Sequence, residues 1–210
     1  MIGVRPIDVS RMGPEALLIS CAEGASALIA EQLRAEFGED ALDIVPAAST
    51  VMFRARRREV INEEFTDRVR IAAQFATQHE HSPTAEVIDI PVTYDGPDLD
   101  DVAGTLHLSV EEVVAAHVSA TYVVAFCGFA PGFAYLTGLD PRLHLPRRST
   151  PRTRVPAGSV SIAAHYSAVY PSPSPGGWHL LGTTDVVLWD EHRANPALLT
   201  PGAEVRFRRV

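Results

Sequence analysis

Apolar positions along the chain fall into two textures that meet near residue 84. Before that point, strand-like and helix-like patterns alternate. Residues 16–19 (ALLI) are a short apolar run that fits a buried strand. Over residues 24–37, Leu28, Ile29, Leu33 and Phe37 share one helical face, with Gly38 as the stop. Residues 43–45 and 50–54 read as two strands joined by a Pro-Ala-Ala-Ser turn. From 59 to 78, Ile61, Phe65, Val69, Ala72 and Ala76 recur at helical spacing opposite Glu63, Glu64, Arg68 and Arg70. That is an amphipathic helix lying on a sheet. Strand–helix–strand–strand–helix, closed by a further strand, predicts a ferredoxin-like α+β domain over residues 1–84.

A polar linker follows at residues 77–84, and its His79-Glu80-His81 reads as solvated side chains rather than a metal site. Beyond it, over 85–210, the elements become shorter. Residues 86–94 alternate as a strand that Pro91 confines to an edge or bulge. Residues 98–103 and 109–117 predict two short helices, the second opened by Ser109 and Glu112 at capping-box spacing. Residues 121–127 are a β-forming apolar strand. Short strands at 159–163, 168–170, 180–181, 186–189 and 204–210 follow, punctuated by prolines and glycines. Many short strands with Pro/Gly corners predict a closed β-barrel or sandwich.

Composition narrows the chemistry. Two cysteines, Cys21 and Cys127, make no disulfide framework, no apolar run is long enough for a membrane span, and the N-terminus lacks a signal-peptide pattern. A reduced cytoplasmic protein is expected. The net charge of −8 argues against nonspecific nucleic-acid binding. All eighteen basic residues are arginine. Without lysine the chain has no phosphate-loop lysine, no Schiff base and no biotin attachment point, and no zinc-spaced Cys/His set is present. ATP or biotin chemistry would need another chain.

Charge is also uneven. Residues 71–140 carry ten acids and no arginine, whereas residues 141–184 carry five arginines (Arg142, Arg147, Arg148, Arg152, Arg154) and no acid. Arginine's planar fork suits a carboxylate or phosphate. Two readings stand: these arginines face a small anion, or they pair with the acidic segment of the same domain or with a partner protein. Pro131-Gly132-Phe133 and Pro175-Gly176-Gly177-Trp178 add stiff or permissive backbone beside aromatic walls. The polar candidates are His165, His179, Ser159, Tyr166 and Tyr170, with His179 favoured beside Gly177 and Trp178.

The run GFAPGFAYLTGLDPRLHLPRRSTPRTRVPAGSVSIAA (128–164), then YPSPSPGGWHLLGTT (170–184), resembles the allophanate hydrolase subunit 1 family, which includes the 5-oxoprolinase subunit designated B and a sporulation histidine-kinase inhibitor. IPVTYDGPDLDDVA upstream and LLTPGAEVRFRRV at the end extend the likeness over about 86–210. The resemblance implies a cyclophilin-like β-barrel after the ferredoxin-like domain, and a homologous subunit 2 as partner. It implies ATP-dependent cleavage of a small carboxylate-bearing amide or lactam, with ATP bound with or by a partner and neither metal nor biotin on this chain. In that setting Arg148, Arg152 and Arg154 would grip the anion, with Phe133, Ser159, Gly176, Gly177 and Trp178 lining the site. His179 or Tyr170 would carry a proton. The chain departs from the family pattern at AAHYSAVYP (163–171). The alternative reading is a regulator that binds and inhibits a sensor histidine kinase. Prolyl isomerisation would follow only from analogy of the barrel.

Overall fold

The computed structural model describes residues 7–78 and 87–210, and the chain divides into two compact units, Met1–Pro83 and Thr84–Val210. His79-Glu80-His81 lies outside the described residues. No helix among the described residues is long and apolar enough to cross a membrane.

The first unit runs β1 (Asp8–Arg11), β2 (Ala16–Ser20), α1 (Ser26–Phe37), β3 (Ala41–Pro46), β4 (Thr50–Ala55) and α2 (Glu63–Gln78). Its sheet has the order β1-β2-β4-β3, with every pair antiparallel. The β2–α1–β3 crossover skips one place, which β4 fills. The outer place beside β2 goes to β1, so the strand expected to close the unit comes first in the chain. Its short polar sequence DVSR shows no apolar alternation, which is why the hydrophobic pattern misses it. Leu17, Ile19 and Phe53 of the sheet share one core with Ile29, Leu33 and Phe37 of α1 and Phe65 and Val69 of α2. The Phe37 ring meets Phe65 at 5.3 Å and Phe53 at 6.3 Å, both edge-on.

The second unit begins with β5 (Ile88–Val92), α3 (Leu99–Leu106), α4 (Val110–Ser119), β6 (Tyr122–Cys127) and β7 (Ala134–Thr137). It continues through β8 (Arg152–Val155), β9 (Ser159–Ala163), β10 (Tyr166–Val169), β11 (Ser174–Gly176), β12 (His179–Thr183) and β13 (Glu204–Arg209). Seven strands form one sheet in the order β12-β9-β10-β7-β6-β13-β5, and β8 and β11 make a separate ribbon. Pro91 sits on the edge strand, as its missing N–H requires. The two ends of the sheet then meet. Thr93 and Thr183 exchange both backbone hydrogen bonds, at 2.9 and 2.8 Å, giving a nearly closed barrel. Gly182 makes this approach possible, because a Cβ there would collide with the Thr93 carbonyl oxygen. Residues 186–189 form no strand; only an isolated Trp189–Ala197 bridge occurs there, although the sequence is β-forming. The α4 capping box is present as expected, with Ser109 and Glu112 bonding reciprocally.

Alternation along the strands separates two cores on opposite faces of the sheet. Val124, Leu136, Ile162, Leu181 and Phe207 join α3 and α4 in the larger one. Phe133, Tyr166, Ala168, Tyr170, Trp178 and Leu180 form the smaller one. Inside the larger core, His117 of α4 is fully buried. Its Nε2 lies 2.9 Å from the Ser167 hydroxyl, which itself donates to the Ser161 carbonyl at 3.2 Å. Nε2 therefore carries the proton, and Nδ1 accepts from the Tyr94 hydroxyl at 2.7 Å. Burial drives His117 down to about 3, so the ring is neutral.

One buried carboxylate ties distant segments of this unit together. Asp98, at the N-cap position of α3, is 1% exposed. It accepts from Arg148 Nη1 at 2.5 Å, from Arg152 Nη1 and Nη2 at 2.8 and 2.6 Å, and from the Leu180 amide at 2.8 Å. Burial alone would raise the carboxyl, but the Arg152 hydrogen bonds, the Leu180 amide and the two arginine charges outweigh it and hold it below its ordinary value. Arg148 and Arg152 of the arginine-rich segment thus find their acid outside it.

Two stability measurements follow. Asp98→Ala leaves two part-buried guanidinium groups and an amide without their acceptor, and should cost about 3–5 kcal/mol in urea titrations; a loss below about 1 kcal/mol would deny Asp98 its structural role. For His117, the unfolded chain takes up a proton near 6.5 while the folded state resists until about 3. The unfolded state binds more protons in that window, so stability falls as pH falls through it. Between about pH 7.5 and about pH 5 the expected loss is about 2 kcal/mol, and His117→Gln should abolish most of the difference.

Candidate functional site

The smaller core does not fill completely. Phe129, Phe133, Tyr135, Tyr170, Trp178 and Arg147 surround a cavity of about 80 Å³, floored by Pro175, Gly176 and Gly177. The loop from Gly128 to Gly132 sets its rim. Phe129 adopts a left-handed backbone (φ +73) and leaves its ring 61% exposed. Hydrogen bonds from Gly128 N to the Phe133 carbonyl (3.2 Å) and from Phe133 N to the Ala130 carbonyl (3.0 Å) hold this strained turn. Its glycine partner, Gly132 (φ +81), abuts Trp189 and Pro171.

The walls are aromatic edges and faces. Phe133 meets Tyr170 at 5.3 Å and 75°, and Trp178 at 5.7 Å and 90°; Tyr135 meets Trp178 at 5.6 Å. Such edge-to-face packing fixes ring orientation. Arg147 lies over the Trp178 ring, its guanidinium carbon 6.0 Å from the ring centroid. Tyr170 is buried with its hydroxyl against Gly176, where a Cβ would collide with the oxygen. Burial raises the phenol above its ordinary value, while a hydrogen bond from the Trp178 backbone and the Arg147 charge pull it back only in part. The group is therefore a protonated hydroxyl at neutral pH, able to donate a hydrogen bond and not poised as a base.

On the other side of Arg147 lies an open groove of about 540 Å³ whose lining includes Asp101, Pro146, Arg148, Ser149, Thr150 and His179. His179 Nε2 donates to the Pro146 carbonyl at 2.9 Å, and its Nδ1 is buried without a hydrogen-bond partner. Arg147 borders both spaces.

The structure sorts the site residues expected from the sequence into four groups. Phe133, Tyr170, Gly176, Gly177 and Trp178 come together around the aromatic cavity. His179 faces the groove, so it and Tyr170 do not share one pocket. Arg148 and Arg152 are occupied by Asp98; the pairing within the domain, one of the two readings of the arginine segment, is the one realised for them. Arg148 also fixes the loop through its own amide, which donates to the Gly177 carbonyl at 2.8 Å. Arg154 is exposed on β8 and borders neither space, and Ser159 is buried with its hydroxyl donating to the Pro156 carbonyl at 2.9 Å. Neither Arg154 nor Ser159 lines the cavity. Sequence reasoning marks Arg147, Phe129 and Tyr135 only as members of the arginine run and the GFAPGFAYL motif. Nothing in a one-dimensional pattern distinguishes Arg147 from Arg148, whose side chains diverge to opposite employments.

Comparison with known proteins bears on this geometry. The family described as carboxyltransferase domain, subdomain C and D, matches residues 7–199. The 5-oxoprolinase subunit designated B in Escherichia coli O157:H7 is 51% identical over 128 residues, which span 60% of this chain and 59% of that protein. The crystal structure of TTHA0988 superposes with a TM-score of 0.79 at 38% identity, covering 93% of this chain and 40% of that one. The urea amidolyase of K. lactis, at 19% identity, shares the fold with a TM-score of 0.73 over the whole chain and 16% of its own length. The matched stretches therefore span less than two thirds of each of these relatives. By its match over residues 7–199, this chain belongs to the carboxyltransferase domain, subdomain C and D, family.

Proposed function

We propose that this chain is one subunit of an ATP-dependent amidohydrolase that opens a small amide or lactam of the 5-oxoproline type, and that the aromatic cavity holds the substrate. The observation that carries this reading is the cavity itself: aromatic walls with a guanidinium at the mouth and a protonated hydroxyl inside, in a chain half identical to a 5-oxoprolinase subunit over its matched residues. A concave space with aromatic walls and convergent polar groups is a common form of small-ligand site.

Chemically, the rings bury the apolar part of a small cyclic substrate. The Tyr170 hydroxyl donates to a carbonyl oxygen where negative charge develops as the amide is attacked. Gly176 keeps the backbone close enough for the hydroxyl to sit there. His179 borders the neighbouring groove, with Nε2 donating to the Pro146 carbonyl and Nδ1 buried, so it holds the loop through Pro146 and does not reach the cavity. Arg148 and Arg152 keep the frame through Asp98. Without lysine the chain offers no phosphate-loop lysine for ATP. We therefore place ATP with a partner, a homologous subunit 2, and the complex in the cytoplasm, where Cys21 and Cys127 stay as free thiols.

The direct test is ATP-dependent hydrolysis of 5-oxoproline by this chain co-purified with its partner. Absence of turnover in a stable, ATP-supplied complex would sink the enzymatic reading. Within an active complex, Gly176→Ala should push the Tyr170 hydroxyl from its place and lower kcat/KM roughly 10- to 100-fold, as loss of one aimed donor does. The urea midpoint should shift much less than it does for Asp98→Ala.

A further inference from the structure

The arginines around the aromatic cavity are not equivalent. Arg148 and Arg152 are both bound to Asp98. Arg147 pairs with no carboxylate among the described residues, is exposed, and borders the cavity and the groove alike. Its guanidinium is not loose, however. It rests over the Trp178 ring, and the next residue anchors the loop twice, through the Arg148 amide on the Gly177 carbonyl and the Arg148 side chain on Asp98. A cation that is held in place yet lacks a counter-ion is poised for an anion supplied from outside. Its planar fork matches one carboxylate in two parallel hydrogen bonds.

We propose that Arg147 is the specificity-determining residue of this site, selecting a small ring that carries a carboxylate, with the Tyr170 hydroxyl as the second donor. Arg148 and Arg152 are positioning residues that act through the loop. This rests on the reading of the aromatic cavity as the substrate site.

The environment accounts for the choice of ligand. The Phe133, Tyr135 and Trp178 rings offer faces and edges to a flat or nearly flat ring, and no carboxylate lines the cavity to repel an anion. The polar side chains that line it, Arg147, Tyr135, Tyr170 and Trp178, can all donate, and the Arg147 charge is felt at the Tyr170 hydroxyl. A neutral carboxamide in the same place would turn one of its own N–H donors toward Arg147 and lose half of the fork. With only about 80 Å³ of space, open on one side, the cavity takes a small ring with its carboxylate at the mouth and not a nucleotide.

The test compares 5-oxoproline with its neutral carboxamide by titration calorimetry on the full chain, alone and co-purified with its partner. Wild type should bind the acid more tightly than the amide. Arg147→Ala should weaken acid binding roughly 10- to 100-fold, the value of a charge-assisted hydrogen-bonded pair. Binding of the carboxamide, which keeps only one neutral hydrogen bond to Arg147, should weaken much less. Arg147→Lys should recover only part of the loss, because an ammonium keeps the charge without the fork. Arg142→Ala removes the same charge elsewhere on the segment, where it pairs with Asp140, and should alter neither ligand. The proposal is overturned if wild type shows no preference for the acid, if Arg147→Ala retains it, or if Arg142→Ala abolishes it equally. Turnover separates this from the broader reading. Hydrolysis with unchanged KM in Arg147→Ala overturns the role of Arg147 and leaves the enzyme. Arg147-dependent acid binding without ATP-dependent hydrolysis supports the role of Arg147 and removes the enzyme.

Discussion

The Asp98 carboxylate is the contact on which the second unit's architecture rests. Removing a carboxylate from water is costly, and a single arginine would not offset it. Two guanidinium groups and a backbone amide do, because every strong acceptor direction of the two oxygens is met. The donors come from three places, each 50 or more residues beyond Asp98 in sequence: the loop at Arg148, the ribbon strand β8 at Arg152 and the barrel strand β12 at Leu180. An apolar residue at position 98 could pack there, but it could not dictate which segments meet. The ion cluster gives the loop a unique seat, and the cavity beside it inherits that definition.

Sequence periodicity captures what is local. The helices α1, α2 and α4 are legible because each writes its buried face in its own few turns, and the Ser109 capping box declares a start within four residues. The strands β7, β8 and β11 are not. They are three or four residues long, and β8 alternates arginine with Thr153 and Val155, so their pairing is fixed by neighbours far along the chain. The stretch at 186–189 has the composition of a strand but makes only the isolated Trp189–Ala197 bridge. For the site, aromatic and glycine motifs mark the right neighbourhood. The charge imbalance marks it too, yet an imbalance cannot tell an internal partner from an external one. Asp98 is one acid among ten, and only folding shows that it is the one brought to Arg148 and Arg152.

The Tyr94–His117–Ser167 chain shows the same limitation from the other side. Its residue types are those of proton-relay chemistry, but here they are sealed in the larger core with every polar atom of the histidine ring satisfied. Burial keeps the ring neutral, and the network serves to orient α4 against the sheet. The aromatic cavity has the opposite character. Its rings are satisfied by one another, and its polar groups retain capacity directed at open space.

The seam at Thr93 and Thr183 does more than close the barrel. Beyond that exchanged pair, the Gly96 amide donates to the Leu181 carbonyl at 3.1 Å and the Asp98 amide to the Leu180 carbonyl at 3.2 Å, so residues 93–98 are laid along β12. These bonds join segments more than eighty positions apart, a non-local contact whose loop-closure cost is met only once the chain between them is ordered. Gly182 lies in the seam, and His179 and Leu180, which border the groove and grip Asp98, belong to the same strand. The strand that closes the barrel is therefore also the one that seats Asp98 and, through it, the loop beside the cavity, so a single element serves as both stave and bracket.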